Sequence, residues 1–253
     1  MPTPPLDDLP GFRRRFLVTP APGWVRSEVE DDYHCMSVTL HHDGKVATAV
    51  EPVLLRAPWT TCPGAVAELE RTFTGVPLDE FVIRGEKSTN CTHLHDLAIL
   101  AATHAADGEP LVYDILVSDP IGGRREAELR RNGTAEMRWG IESIAIVEPA
   151  ELSGVALFKM RSWIDSLDPV AQEGARLLRW GALIANGRTI PMEKQSDASR
   201  MPGGNCYTFQ PHIGGQARRV GEIRDFSTGT ARPLDGREAA SMETNYQKEH
   251  HRR

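Results

Sequence analysis

The sequence predicts an α+β fold, a small antiparallel sheet with helices packed on one face. Three observations carry this expectation. Two pairs, Asp43-Gly44 and Asn132-Gly133, each separate alternating runs that read as hairpin strands. Two segments, opening at Cys62-Pro63 and at Cys91-Thr92, combine helix-start residues with apolar residues at helical spacing. Two further stretches, 155–167 and 169–186, show the same periodicity.

Taken in order, residues 1–10 carry four prolines and predict a loose arm. Strand-like segments follow at 12–19 and 23–30. The hairpin at 34–40 and 45–51 is expected to turn through Asp43-Gly44 as type I′, with positive φ at both central residues. Pro63 takes the first position of the next helix and Gly75 closes it. Leu78-Asp79-Glu80-Phe81 leads to a helix that starts at Cys91, capped by Thr92 or Asn90, and ends near Gly108. An apolar strand at 110–117 precedes the hairpin at 128–139. Asp168-Pro169 separates the last two helices, and Asn186-Gly187 ends the second. Beyond Thr189 the chain is polar and rich in Gly and Pro, apart from Cys206-Tyr207-Thr208-Phe209-Gln210. The expected organisation is an arm at 1–11, a site-bearing domain at 12–108, a hairpin, helices and covering loop at 109–235 packed as one unit with it, and a disordered charged tail at 236–253.

The bulk numbers exclude several classes. Over 253 residues the chain is 40% hydrophobic and 25% charged, ordinary for a globular protein. Its net charge of −6 argues against phosphate-backbone binding, so no nucleic acid is expected, and Arg13-Arg14-Arg15 reads as a solvated strand end. No apolar run approaches the roughly 18 residues that span a membrane. The N-terminus lacks the basic and apolar regions of a signal peptide. Four cysteines, Cys35, Cys62, Cys91 and Cys206, are too few for a disulfide-built scaffold, which points to a reduced cytoplasm.

The chemistry concentrates in three places. Cys91 sits in a first helical turn, where the macrodipole favours thiolate, and His93 offers a second soft ligand there. Cys62 stands at the mouth of the preceding helix. Read as the start of a strand, Asp32 and His34 alternate onto one face while Tyr33 and Cys35 take the other. Carboxylate, imidazole and thiolate together suit zinc or iron. Against this, a single cysteine is more often a small buried hydrophobe, and no C-x-x-C pair is present. Cys35 reads as core, and His41, His42, His95 and His104 as surface or core residues. Cys206 and His212 lie in a loop that Tyr207 and Phe209 anchor.

Two resemblances follow from these residues. Glu30-Asp31-Asp32-x-His34, Arg56-x-Pro58-Trp59-x-x-Cys62-Pro63-x-Ala65 and Cys91-Thr92-His93-Leu94 are similar to a bacterial family of unknown function marked by a Cys-Thr-His-Leu motif, and Cys206-Tyr207-Thr208-Phe209-Gln210-Pro211 resembles the ending of its longer members. Residues 32–106 also resemble the U-type iron–sulfur assembly scaffold, with Gly75-Val76-Pro77-Leu78-Asp79-Glu80 as its characteristic link. That resemblance implies a scaffold-like sheet elaborated by an extra hairpin and C-terminal helices. It implies metal ligands at Cys62 and Cys91, with Asp32 in place of the scaffold's first cysteine and His34 in place of its aspartate. Losing one thiolate of three weakens cluster binding and suits a mononuclear centre.

The leading expectation is one transition metal ion, zinc or iron, held by Asp32, His34, Cys62 and Cys91. His93 would act as general acid/base in an enzyme of small-molecule catabolism, of lyase or hydrolase type. The rivals are a metal or iron–sulfur carrier, and a metal-free enzyme with Cys91 as nucleophile and His93 or His95 as its base. The expected partner is a small-molecule substrate, with no membrane; a homodimer is left open.

Overall fold

The alternating runs fold as strands and the periodic runs as helices in the computed structural model, which describes residues 5–200, 203–227 and 230–237. Among the described residues the architecture is mixed helix and sheet, with eight antiparallel strands in the order β4-β3-β2-β1-β5-β6-β7-β8. The strands are β1 Gly11–Ala21, β2 Trp24–Glu30, β3 Cys35–His42, β4 Ala47–Arg56, β5 Leu111–Ser118, β6 Arg124–Arg131, β7 Thr134–Glu142 and β8 Ala145–Glu148. The helices are α1 Ala65–Phe73, α2 Thr92–Thr103, α3 Arg161–Ile164, α4 Pro169–Ala185 and α5 Pro211–Gly214. Two units divide the chain: Met1–Arg15 with Val112–Pro191 and Asp225–Arg232, and Phe16–Leu111 with Met192–Arg224 and Pro233–Arg253.

In the unit that begins at Phe16, β2 and β3 pair from Trp24↔His41 to Glu30↔Cys35, leaving residues 31–34 as the turn between them. Helix α2 packs on these two strands. The buried Ser27 hydroxyl donates to the Leu97 carbonyl at 2.6 Å, so alternation puts Val25 and Val29 on the same helix-facing side. Leu94, Leu97 and Ala98 are fully buried on α2, and each such leucine contributes about 2 kcal/mol. The opposite face of β2 carries the buried Glu28 and Glu30. Arg56 and Arg224 bond Glu30 at 3.0 and 3.2 Å, the Leu234 amide donates to it at 2.7 Å, and Arg237 bonds Glu28 at 2.9 Å. Charged donors there replace the water that these carboxylates lose on burial.

Several expectations need correction. The β3–β4 turn is not type I′: Gly44 has φ +95° but Asp43 does not enter the left-handed region. The Asp43 carboxylate instead accepts the Lys45 and Val46 amides at 2.9 and 2.8 Å, which widens the loop to residues 43–46. Helix α2 stops at Thr103, short of Gly108, and Cys91 itself occupies the cap position. The segment 155–167 forms only tight helical turns and the four-residue α3, and the short strand β8 was not anticipated.

In the other unit, Asn132 and Gly133 have φ 48° and 81°, as a two-residue type I′ turn requires, and Arg131 pairs with Thr134. Helix α4 matches its expected span. Asp168 caps it by accepting the Val170 and Ala171 amides, each at 3.1 Å. A Cβ at Gly181 would lie 2.7 Å from Ile115, so glycine there lets the helix lie close against β5. The Tyr113 hydroxyl donates to Glu173 at 2.7 Å across the same contact. Among the described residues, no helix is long and apolar enough to cross a membrane. Leu6 is buried in a tight helical turn at Leu6–Asp8, and Gly11 begins β1. Residues 1–4 of the expected arm and 238–253 of the expected tail lie outside the described residues.

Candidate functional site

One carboxylate organises the β2–β3 turn. Asp31 Oδ1 accepts the backbone N–H groups of Tyr33 at 2.7 Å and His34 at 2.8 Å. The Asp31 amide donates to the His34 carbonyl at 2.9 Å, closing the loop. The same carboxylate meets His34 Nδ1 at 3.0 and 3.2 Å. A carboxylate only accepts, so Nδ1 carries the proton and Nε2 is left as the basic nitrogen of the neutral ring. Arg56 fastens the turn from outside by donating to the carbonyls of Asp31 at 2.8 Å and Asp32 at 2.6 Å.

His93, in the first turn of α2, stacks on His34 with ring centroids 3.8 Å apart and planes at 29°. Asp31 is 0% exposed, and His34 and His93 are each 6% exposed. One ligand atom from each of the three lies within 4.8 Å of the others. The carboxylate that meets His34 is Asp31, in place of the expected Asp32. The reason is local: β3 begins only at Cys35, so residues 32–34 do not alternate as a strand. A buried Asp three residues before a His, between two apolar strands, is the pattern of a side-chain-capped turn, and that pattern could have identified Asp31. His93 enters the group directly, where the sequence reading gave it the role of general acid/base.

Cys62 and Cys91 are not part of this trio. Cys91 and Cys206 lie near enough to Cys62 to feel its charge, but the three sulfurs do not fall within 4.8 Å of one another. Cys62 opens a tight turn, Cys62–Gly64, ahead of α1, and Cys91 caps α2. The segment that carries Cys206 is strapped to both. The Tyr207 amide donates to the Asn90 carbonyl at 2.9 Å, next to Cys91. The Thr208 hydroxyl lies 3.6 Å from Cys62 Sγ and 3.1 Å from the Thr61 hydroxyl. The Phe209 ring meets Trp59 edge-on at 5.8 Å. Burial pushes the Cys91 thiol up to about 12, with the charges of Cys62 and Cys206 adding to it. Burial likewise raises Cys62, and pushes Cys206 up to about 11. The expected thiolate at the helix mouth is therefore overturned. The amides of Leu94 and His93 do favour the anion, but loss of water outweighs them.

Cys35 is buried as expected, with its sulfur 3.7 Å from Arg237 on the polar face of the sheet. His95 is buried against Phe73, its ring centroid 5.0 Å away, and stands outside the trio.

The strap supports a direct test. A Cβ at Gly64 would collide with the Tyr207 hydroxyl and ring. Gly64→Ala is therefore expected to lift Tyr207, lower stability by about 1–3 kcal/mol and speed alkylation of Cys206. Iodoacetamide labelling followed by mass spectrometry reads this, and an unchanged rate at Cys206 would show that the strap is held elsewhere.

No model of a known protein family matches the chain, and no curated protein matches it.

Proposed function

We propose that the protein is a metal-dependent enzyme acting on small molecules, of lyase or hydrolase type, with zinc or iron held by His34 and His93 and with Asp31 orienting His34. The supporting observation is the convergence of one carboxylate and two imidazoles, all buried, within 4.8 Å. Two imidazoles, one of them held from behind by a carboxylate, are donors that fit either ion. When bound, such an ion supplies Lewis acidity toward a substrate oxygen or a water. The residues themselves do the rest. Asp31 holds His34 in one tautomer and one orientation. Arg56 and the Asp31 amide bonds keep the turn from relaxing, so the imidazoles are positioned in advance. Cys62 and Cys91, at the neighbouring helix mouths, are the candidate thiol donors, and their use would release protons.

A carrier or assembly module of the iron–sulfur-scaffold type is the second reading. Its one favouring observation is that Cys206 joins Cys62 and Cys91 as a third thiol. The metal-free nucleophile reading loses support, because a Cys91 thiol at about 12 is almost wholly protonated at neutral pH.

Elemental analysis of freshly purified protein tests the proposal. About one zinc or iron per chain is expected, falling roughly tenfold in His34→Ala and His93→Ala. Hydrolysis or C–C cleavage across a panel of esters, amides and hydroxy-carbonyl compounds is expected to vanish on chelation and return with the ion. Full metal content in both histidine variants would remove the site. Visible cluster absorbance after anaerobic reconstitution, lost in Cys62→Ser, Cys91→Ser and Cys206→Ser, would favour the carrier.

A further inference from the structure

Arginine side chains in this acidic protein mostly find carboxylates. Arg15 binds Asp114, Arg56 and Arg224 bind Glu30, Arg130 binds Asp7 and Glu128, and Arg188 binds Asp119 and Asp225. Arg219 is different. Its backbone is fixed, with its amide donating to the Ser196 carbonyl at 3.1 Å and a bridge to Trp59. Its guanidinium carbon lies 5.1 Å from the Tyr33 ring centroid and 5.4 Å from that of Trp59. Among the described residues no carboxylate and no carbonyl accepts from that guanidinium.

Cation–π contacts engage the flat face of such a group and leave its edge N–H donors unused. A half-buried cation held by two aromatic rings, with its N–H donors not taken by the chain's own acceptors among the described residues, is held ready for an anion from outside the chain. Its location is informative. Tyr33 adjoins His34, with ring centroids 6.2 Å apart, and Arg219 feels the charge of Cys62.

We propose that Arg219, held between Tyr33 and Trp59, binds the carboxylate of a small organic acid that is the substrate of the Asp31–His34–His93 centre. This rests on the reading of that trio as the reacting group, and it adds the substrate class. A single guanidinium matches a carboxylate in charge and in its two-pronged geometry. Arg219 is then a binding residue that orients the acid, leaving its other end toward the histidines.

Binding of benzoate, of its neutral counterpart benzamide, and of inorganic phosphate tests this, read by tryptophan fluorescence and thermal shift. The expected result is saturable benzoate binding to the wild-type protein, no benzamide binding at the same concentrations, and little competition by phosphate. Arg219→Gln should weaken benzoate roughly tenfold or more, with Arg219→Lys between the two. Melting curves establish that each variant is folded, and Arg219→Lys keeps the charge if Arg219→Gln does not fold. Equal benzoate binding in the variants, absence of binding in the wild-type protein, or phosphate displacing benzoate at lower concentration would each overturn the proposal. Metal content measured on the same samples separates the two readings. Arginine-dependent benzoate binding in protein that holds no metal would sink the metal centre and leave the carboxylate site standing.

Discussion

Asp31→Ala is expected to lower stability by about 4 kcal/mol and to abolish metal retention. The carboxylate is fully buried and accepts from two backbone amides and one imidazole within 2.7–3.2 Å. Alanine would leave three buried donors without an acceptor, each worth about 1–3 kcal/mol, with partial relaxation of the turn. Asp31→Asn separates folding from chemistry. Its carbonyl oxygen still accepts both amides, so the turn should survive with a loss of about 1–2 kcal/mol. Its NH2 group then faces His34 Nδ1, which becomes the acceptor and moves the ring proton to Nε2. A folded Asp31→Asn protein with roughly tenfold weaker metal binding is the expected outcome. Urea denaturation and metal titration together check it. Equal metal affinity in wild type and Asp31→Asn would show that the tautomer of His34 is irrelevant to the site.

His95 is expected to make the protein acid-sensitive. Burial lowers its pKa from the ordinary 6.5 to about 4, with the Asp96 charge only partly opposing this. Neither ring nitrogen has a partner among the described residues. Between about pH 6.5 and 4 the unfolded chain takes up a proton here that the folded chain refuses. Stability therefore falls as the pH falls through this window, by about 3 kcal/mol in all, and this contribution levels off below about 4. His95→Leu removes the titration and an unpaired buried N–H while keeping similar volume, so it should gain about 1 kcal/mol at neutral pH. The advantage of the variant should widen steadily toward pH 4.5. Denaturation midpoints of both proteins at pH 7.5, 5.5 and 4.5 measure this, and parallel pH profiles would assign the acid sensitivity to other groups.

The two hairpins show where sequence signals succeed and where they are diverted. Asn132-Gly133 turns as expected, because the Asn132 side-chain oxygen takes the Val112 amide of the neighbouring strand at 2.9 Å and leaves the turn's own amides alone. Asp43-Gly44 does not, because the Asp43 carboxylate finds two amides within reach and caps a wider loop. The same local chemistry, repeated at Asp31, displaced the expected Asp32. In both cases a short acceptor side chain competes with regular backbone pairing, and periodicity says nothing of that competition. The helix expected at 155–167 fails for a related reason. Its apolar residues keep helical spacing, but Gly154 has φ +82° and the segment pairs back through Ala145↔Ala156 before any helix starts.

The sequence by itself determined the mixed α+β class, the strand hairpins, helix α4, and the segments that carry the chemistry: the acidic run before His34, Cys62, and Cys91 with His93. Those properties are local, set by turn residues, caps and apolar period within a dozen positions. Tertiary structure decided which of these groups meet. It stacked His93 on His34, drew Cys206 to Cys62 and Cys91, and set Arg219 between Tyr33 and Trp59. It also reversed the expected charge of Cys91. Helix position favours the thiolate within one turn, whereas water is excluded by residues far along the chain, and desolvation is the larger effect.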